Sequence, residues 1–210
     1  MPFSPAKFRA LLEECGIGGD AARNDSPPLF EQSGVAGSAA GGFFVLSGLN
    51  VSAALAHVKE KRVLAGWTGG PSISSAELLV QPCDVLVPAA LGGVISRDNA
   101  SALKCRIVVE GANGPTTPEA DDILKQRGIT ILPDIYANAG GVTVSYFEWV
   151  QNIQQFAWDE TRVRLELERI MRASFGHLTK AAAVHRVDLR TAAFVVAIER
   201  VARAMAQRGI

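Results

Sequence analysis

Glu110-Gly111-Ala112-Asn113-Gly114-Pro115-Thr116-Thr117-Pro118-Glu119-Ala120-Asp121 is the stretch that decides the fold. It follows the short apolar run Ile107-Val108-Val109, which reads as a buried strand, and it leads into a helical pattern. Thr117 caps that helix with Pro118 at its first position, and Gly128 stops it before a second strand, Ile129-Thr130-Ile131-Leu132. The exit repeats the arrangement: Pro133-Asp134-Ile135-Tyr136-Ala137-Asn138-Ala139-Gly140-Gly141-Val142-Thr143-Val144-Ser145-Tyr146-Phe147-Glu148-Trp149 opens another helix. Two polar, glycine-bearing turns, each joining a strand to a helix, are the signature of an open parallel sheet. Ligands of such sheets bind at the carboxyl ends of the strands.

The same alternation extends in both directions. Upstream, Asn50 caps a predicted helix over residues 51–61, followed by a short strand at Val63-Leu64. Ser74 and Glu77 form a capping box, in which two side chains satisfy free amides at a helix start. Residues 84–87 read as a strand and residues 98–103 as a short helix. Downstream, residues 142–158 form one long helix. A second carries Val163, Leu167, Ile170, Met171, Ser174 and Leu178 on one stripe. A third runs from Asp188 as cap to Arg208, with Phe194, Ile198, Val201 and Met205 on one face and Gly209 as stop. Strands alternating with helices predict right-handed βαβ units. The expected class is α/β: a partial doubly wound, Rossmann-like parallel sheet of about four to five strands with C-terminal helices.

Residues 42–210 therefore read as a dinucleotide-binding type of domain, and residues 1–41 as a divergent N-terminal segment. Within the latter, a short amphipathic helix starts at Ser4 with Phe8, Leu11, Leu12 and Cys15 on one face. Residues 16–42, rich in Gly, Ala, Ser, Asp and Pro, read as a linker. The glycine fingerprint G-x-G-x-x-G that opens a complete fold of this type is missing, as is its first strand. Residues 34–40 only loosely match the end of such a turn, and the acidic residue about 20 positions beyond it has no counterpart.

Bulk composition excludes several classes. Lys plus Arg equal Asp plus Glu at 21 each, which gives no basic surface for nucleic acid or anionic membrane. No run approaches the roughly 18 apolar residues of a membrane span, and residues 1–16 lack a signal-peptide core. Cys15, Cys83 and Cys105 have neither metal-ligand spacing nor an even count, so the expectation is a cytoplasmic protein in a reducing environment without a metal.

Chemistry concentrates at the turns. Gly140 and Gly141, after Asn138, let a ligand approach the backbone at a helix start whose free N–H groups favour carboxylate or an electron-rich amide. Asn138 and Ser145 lie seven apart, about two helical turns, and so share nearly one face. Asn113 offers an amide that donates and accepts at once, between two glycines. Ala89 and Ala90 follow a strand end and leave room above it. Each has a plainer reading too: Asn138 as an N-cap, Ser145 as a helix-face hydroxyl, Asn113 as a left-handed turn residue. Glu110, a carboxylate at a strand end, has the position of a general base. Asp134 reads as fixing a turn after Pro133, and His57, His177 and His185 as isolated helix residues.

These two turns, with Cys83-Asp84-Val85-Leu86-Val87-Pro88-Ala89-Ala90-Leu91 and Val187-Asp188-Leu189-Arg190-Thr191-Ala192-Ala193, resemble the nucleotide-binding half of the glutamate dehydrogenase family. The resemblance runs from about Gly41 to the C-terminus, and the run from Glu110 to Asp121 separates the glutamate type from leucine and phenylalanine dehydrogenases. It implies NAD or NADP as cofactor, with Ala89 and Ala90 beneath the dinucleotide and Asn113 and Asn138 beside it, Asn138 at the nicotinamide end. It further implies that Val142 lines the substrate pocket and Ser145 reaches the distal carboxylate of glutamate or 2-oxoglutarate. For Glu110 it replaces the role of general base by support of its turn. The family's substrate domain, with its catalytic lysine and aspartate, has no counterpart here, so no catalytic residue is assigned. A dehydrogenase half that is inactive alone is expected, completed by a separate substrate-domain chain or a homo-oligomer. The competing readings are a non-catalytic nucleotide-binding or subunit-interaction module, and a degenerate gene fragment.

Overall fold

The computed structural model describes residues 50–209 together with the backbone of Val35–Ser38 and Gly41–Phe44. Two three-stranded sheets are present among these residues. In the first, β1 (Val35–Ser38) pairs antiparallel with β2 (Gly41–Phe44), which pairs antiparallel with β3 (Ser72–Ile73). The second is parallel, with β4 (Val85–Leu86), β5 (Ile107–Val109) and β6 (Thr130–Leu132) side by side in sequence order. The parallel sheet has three strands among the described residues rather than four to five.

Helices α1 (Val51–Lys61) and α2 (Ser75–Leu79) precede the parallel sheet. A 3-10 turn (Ala100–Ala102) joins β4 to β5, and α3 (Pro118–Gln126) joins β5 to β6. After β6 come α4 (Asp134–Ala137), α5 (Ala139–Gln154), α6 (Glu160–His185) and α7 (Leu189–Gln207). The caps act as their chemistry dictates. Asn50, Thr117, Asp159 and Asp188 each accept a bond from a backbone N–H in the first turn of their helix. Ser74 and Glu77 complete their capping box reciprocally.

Alternate side chains of the parallel strands face opposite ways, and both faces are covered. Val108 and Ile131 pack with Ala120 and Leu124 of α3 and with Ile95, Ala100 and Leu103. Ile107, from the other face, packs with Leu178, Ala181 and Ala182 of α6 and Leu189, Ala192 and Ala193 of α7. The alanines let those two helices approach closely. Arg127 fastens the first side by donating to the carbonyls of Ala100 and Leu103, both at 2.6 Å.

Four expectations are corrected. Val63-Leu64 forms a bend rather than a strand: it follows at once on the left-handed Arg62 (φ 64°) that ends α1, and Val63 is exposed. The strand Val35–Ser38 falls inside the segment read as a linker and pairs across the expected boundary with Gly41–Phe44. The long helix begins at Ala139 and ends at Gln154, where Gln155 turns left-handed (φ 50°). Phe194, Ile198, Val201 and Met205 do share a face of α7, but all four are exposed, and the packed face uses smaller residues. The helix expected from Ser4 lies outside the described residues.

Candidate functional site

The turns leaving β4, β5 and β6 lie side by side and are stitched through the backbone. Ala112 N donates to Pro88 O at 2.9 Å, Gly93 N to Gly114 O at 2.8 Å, and Ile95 N to Pro115 O at 2.9 Å. Thr117 N returns to Ile95 O at 2.9 Å. Glycine permits this closeness. A Cβ on Gly111 would meet the Ala89 Cβ at 3.0 Å, and one on Gly92 would meet the Asn113 carbonyl oxygen at 3.1 Å. Gly114 adopts φ +52°, a left-handed conformation that L side chains rarely adopt.

Beneath these turns sits a cluster of charge. Glu110, fully buried at the end of β5, accepts from Arg190 Nη2 at 2.7 Å through Oε1 and from the Asp134 backbone N–H at 2.9 Å through Oε2. Arg190 Nε donates to Asp121 Oδ1 at 3.1 Å, and its Nη1 lies 3.6 Å from Asp134 Oδ1. Asp134 in turn accepts from Gly114 N at 2.7 Å and Ile135 N at 2.8 Å. Lys125 pairs with Asp121 and, at 3.2 Å, with Asp188. Burial works against the Arg190 charge, but the Glu110 hydrogen bond and the fields of Glu110 and Asp121 prevail, and its affinity for the proton rises above the ordinary arginine value. Glu110 is thus committed to a cation and a backbone amide. It supports its turn, as the family resemblance implies, and is not the free base that a carboxylate at a strand end invites.

Above the turns opens a cleft of about 620 Å³, lined by Ala90, Leu91, Gly92, Gly111, Ala112, Asn113, Asn138 and Val142. Four of the six residues singled out from the sequence therefore line one cavity at the carboxyl ends of the parallel strands. Asn113 and Asn138 meet directly, Asn138 Nδ2 donating to Asn113 Oδ1 at 2.6 Å. Neither plainer reading of these two residues describes them. Asn138 precedes α5 but its side chain makes no capping bond. The left-handed residue of its turn is Gly114, not Asn113. Ala89 is exposed and packs its Cβ region against Gly111 at the edge of the cleft. Ser145 does not line the cleft; it is exposed, and its hydroxyl donates to Gly141 O at 3.2 Å within its own helix. A second groove of about 480 Å³, at the far end of α5 around Gln151 and Phe156, is remote from the strand ends.

The donor set fits the nicotinamide half of a dinucleotide. Small side chains and glycine leave a flat ring room to lie over the strand ends. Two amides that now satisfy one another could instead serve a carboxamide or ribose, which needs both donors and acceptors. The 16-residue helix α5 points its N-terminus, the positive end of its dipole, toward the same turns. For the pyrophosphate the fit is poorer. Val35–Ser38 and Gly41–Phe44, the segments nearest to a glycine fingerprint, form antiparallel strands instead of a strand-to-helix cradle.

Sequence reasoning passed over Arg190 and Asp121 as individual residues. The available signal was indirect: a carboxylate at position 110, wedged between an apolar strand and a glycine turn, must be buried and needs a cation. Nothing in the local pattern says that the cation stands 80 residues away. The histidines lie elsewhere: His57 against Ala65 O, His177 beside Arg200, and His185 4.0 Å from Glu199. Among the described residues no helix is long and apolar enough to cross a membrane.

Comparison with known proteins agrees with this geometry. The model of the family described as glutamate/leucine/phenylalanine/valine dehydrogenase matches residues 31–209. A glutamate dehydrogenase of Thermotoga maritima is 51% identical over 170 residues, covering 81% of this chain and 41% of that protein. Among solved structures, glutamate dehydrogenase from Peptoniphilus asaccharolyticus superposes with a TM-score of 0.66 at 34% identity, over 80% of this chain and 37% of the other. The hetero-hexameric glutamate dehydrogenase from Thermus thermophilus, in a leucine-bound form, gives a TM-score of 0.76 at 30% identity, over 84% and 41%. The chain spans less than half the length of these relatives.

Proposed function

Because the chain belongs to the glutamate/leucine/phenylalanine/valine dehydrogenase family, we propose that its strand-end cleft takes the nicotinamide half of NAD or NADP. The observation that carries this reading is the pairing of Asn113 with Asn138 across a cavity floored by glycine and alanine. On binding, the two amides exchange their mutual bond for bonds to the cofactor. Asn138 serves the carboxamide end and Asn113 the ribose side, while Ala89 and Ala90 leave the dinucleotide its space. The bound cofactor would supply the hydride acceptor. Val142 and Ser145, one helical turn apart, flank the nicotinamide end and are proposed to meet a glutamate-type substrate, Ser145 by donating its hydroxyl to the distal carboxylate in place of Gly141 O.

Turnover demands more than these residues. Substrate and nicotinamide must be held at near-attack distance, and the strand-end cleft forms only one side of that arrangement. We therefore propose that these residues bind cofactor weakly and support glutamate oxidation only together with a substrate-binding half, with a separate chain or a second copy as the proposed partner. A second observation favours such a partner. Val142, Tyr146, Trp149 and Ile153 recur at helical spacing along α5 and are 57–70% exposed, a continuous apolar stripe that starts at the cleft itself. Soluble monomers rarely leave contiguous apolar surface uncovered without a use for it. The same stripe serves the alternative reading, a non-catalytic nucleotide-binding or subunit-interaction module.

Calorimetric titration with NAD and NADP tests the first part: binding weaker than micromolar is expected, and Asn138→Ala should weaken it on the order of tenfold, the worth of about one hydrogen bond. No binding of either nucleotide at millimolar concentration would refute the cofactor reading. Kinetics with an added substrate-domain chain test the second. Ser145→Ala should weaken glutamate recognition on the order of 10- to 100-fold, the worth of about 1.5–3 kcal/mol in a charge-assisted hydrogen bond, and leave cofactor affinity nearly unchanged. Equal effects of Ser145→Ala and Asn138→Ala on both ligands would remove the assigned roles. Glutamate oxidation by the chain alone would remove the need for a partner.

A further inference from the structure

We propose that Arg190 is the positioning residue of the site: through Glu110 and Asp134 it fixes the two turns that carry Asn113 and Asn138. The inference rests on the cofactor reading for its purpose, though its geometry stands on the structure alone. Arg190 is the second residue of α7, and its guanidinium reaches the end of β5 at Glu110, the first turn of α3 at Asp121, and the start of α4 at Asp134. From there the links are short. Glu110 Oε2 holds the Asp134 N–H at 2.9 Å, and Asp134 Oδ2 holds the Gly114 N–H, next to Asn113, at 2.7 Å. Asp134 O accepts from Asn138 N at 3.2 Å, and the Asn138 side chain closes the circuit on Asn113 at 2.6 Å.

Apart from the Arg190–Asp134 ion pair, each link is a hydrogen bond whose partner is fixed by another, so the positions of both asparagines depend on one cation. A planar fork is what the task requires. Three carboxylates approach Arg190 from three elements, and its five N–H donors in one plane can answer all of them, whereas a lysine offers a single point charge. Without the fork, Glu110 and Asp134 would converge as like charges around an empty centre. Glu110, with no exposed surface, would have to lose its charge or swing the turn outward. Either response releases the Asp134 and Gly114 amides. Replacing a buried ion cluster by apolar groups often costs no stability, so a cluster of this kind is better explained by the geometry it enforces than by the energy it adds.

The experiment has two arms. In ligand-free ¹⁵N-labelled protein, the backbone amides of Gly114 and Asp134 and the side-chain amides of Asn113 and Asn138 report the circuit. In Arg190→Lys these four signals should shift, and the two backbone amides should exchange about tenfold faster, while Leu124 and Leu178 in the flanking cores keep their wild-type protection. Four unchanged signals in folded Arg190→Lys overturn the proposal, as does a uniform loss of protection, which marks a general stabilising role. If Arg190→Lys does not fold, Asp134→Asn leaves Arg190 on Glu110 and Asp121 and is read by the same signals. Unchanged Gly114 and Asn113 signals there overturn it equally.

The second arm titrates NAD and NADP into wild type, Asn138→Ala, Arg190→Lys and the double variant. Arg190→Lys should bind on the order of tenfold more weakly, within the range of coupling between residues of one network, and introduced into the Asn138→Ala background it should cost nothing further. Losses that multiply would show that Arg190 does not act through Asn138. Wild type that binds neither nucleotide sinks the cofactor reading, while the first arm still decides whether Arg190 sets the turns.

Discussion

The two layers at the strand ends are built on opposite principles. The lower layer, Glu110, Asp121, Asp134 and Arg190, is buried or nearly so, and each of the four side chains has a charged partner on another element. The upper layer, Asn113, Asn138, Val142 and Ser145, faces solvent, and among the described residues its polar side chains bond to each other or to their own helix. A site that must exchange its bonds for those of a ligand needs groups that are cheaply freed, and it needs them on a frame that does not relax when they are. The difference teaches where each kind of substitution should register: below, in stability; above, in binding.

The largest expected effect tests that division directly. Glu110→Ala leaves Arg190 facing one fewer carboxylate in a desolvated setting and frees the Asp134 amide. Breaking a buried pair in this way costs about 3–5 kcal/mol. Asn113→Ala, on the exposed layer, should stay within about 0.5 kcal/mol. Urea denaturation of the two variants suffices, and a cost for Asn113→Ala near that of Glu110→Ala would erase the distinction between layers.

Next in size is Gly114→Ala. A Cβ there meets nothing within 4 Å, so space is not at issue; φ +52° is. The left-handed conformation costs an L residue about 1–2 kcal/mol, and the Asp134 carboxylate that holds the Gly114 N–H prevents the turn from relaxing away from it. A loss in this range, read by the same denaturation, supports a rigid turn. No loss would mean the turn is free to move and the lower layer does not reach it.

Gly141→Ala should go the other way. This residue lies in the first turn of α5 with open space around it and no positive φ, so alanine should stabilise the helix by about 0.5–1 kcal/mol. On the proposed reading the added methyl also stands where the ligand approaches, so nucleotide affinity should fall while the melting temperature rises. Stabilisation without any loss of affinity would sharpen the map of the cleft by excluding the start of α5 from it.

How much of this was legible in the sequence follows the same division by distance along the chain. The caps at Asn50, Ser74, Thr117 and Asp188, the glycine turns and the strands β4 to β6 themselves depend on residues a few positions apart, and all were readable. So was the convergence of Ala90, Asn113, Asn138 and Val142, because parallel strands carry their exits to one edge. The Arg190–Glu110 bond joins residues 80 apart and left no local trace. Strand β1, Val-Ala-Gly-Ser, has too little apolar alternation to be distinguished from a linker. Val63-Leu64 had the composition of a strand without the burial of one. In α7 periodicity located a face correctly, but only packing decides which face is covered.

The smallest effect concerns the rim of the lower layer, where Asp188 caps α7 and meets Lys125 at 3.2 Å. Burial opposes the Asp188 charge, yet the bonds from Thr191 and the field of Lys125 outweigh it, so its carboxyl is held below its ordinary 3.8. Burial likewise opposes the Lys125 charge, and Asp121 and Asp188 reverse the balance, raising it above its ordinary 10.5. The signs follow from linkage. A depressed carboxylate contributes stability that is present above about pH 3.8 and is lost as pH falls through its lower folded value. A raised ammonium contributes stability that is present below about pH 10.5 and is lost as pH rises through its higher folded value. Between these limits the pair should be indifferent to pH. Asn is as good an N-cap as Asp, so Asp188→Asn keeps the backbone cap while removing the charge and the Oδ2 acceptor of the Thr191 hydroxyl. For a half-exposed pair that is worth about 0.2–1 kcal/mol. Melting temperatures across pH 2 to 12 should show the variant slightly below wild type on the plateau, converging with it at the acid end. A gap that persists below the folded value of Asp188 would mean the carboxylate acts through its shape in the cap, and that the charged rim adds nothing to the layer beneath the site.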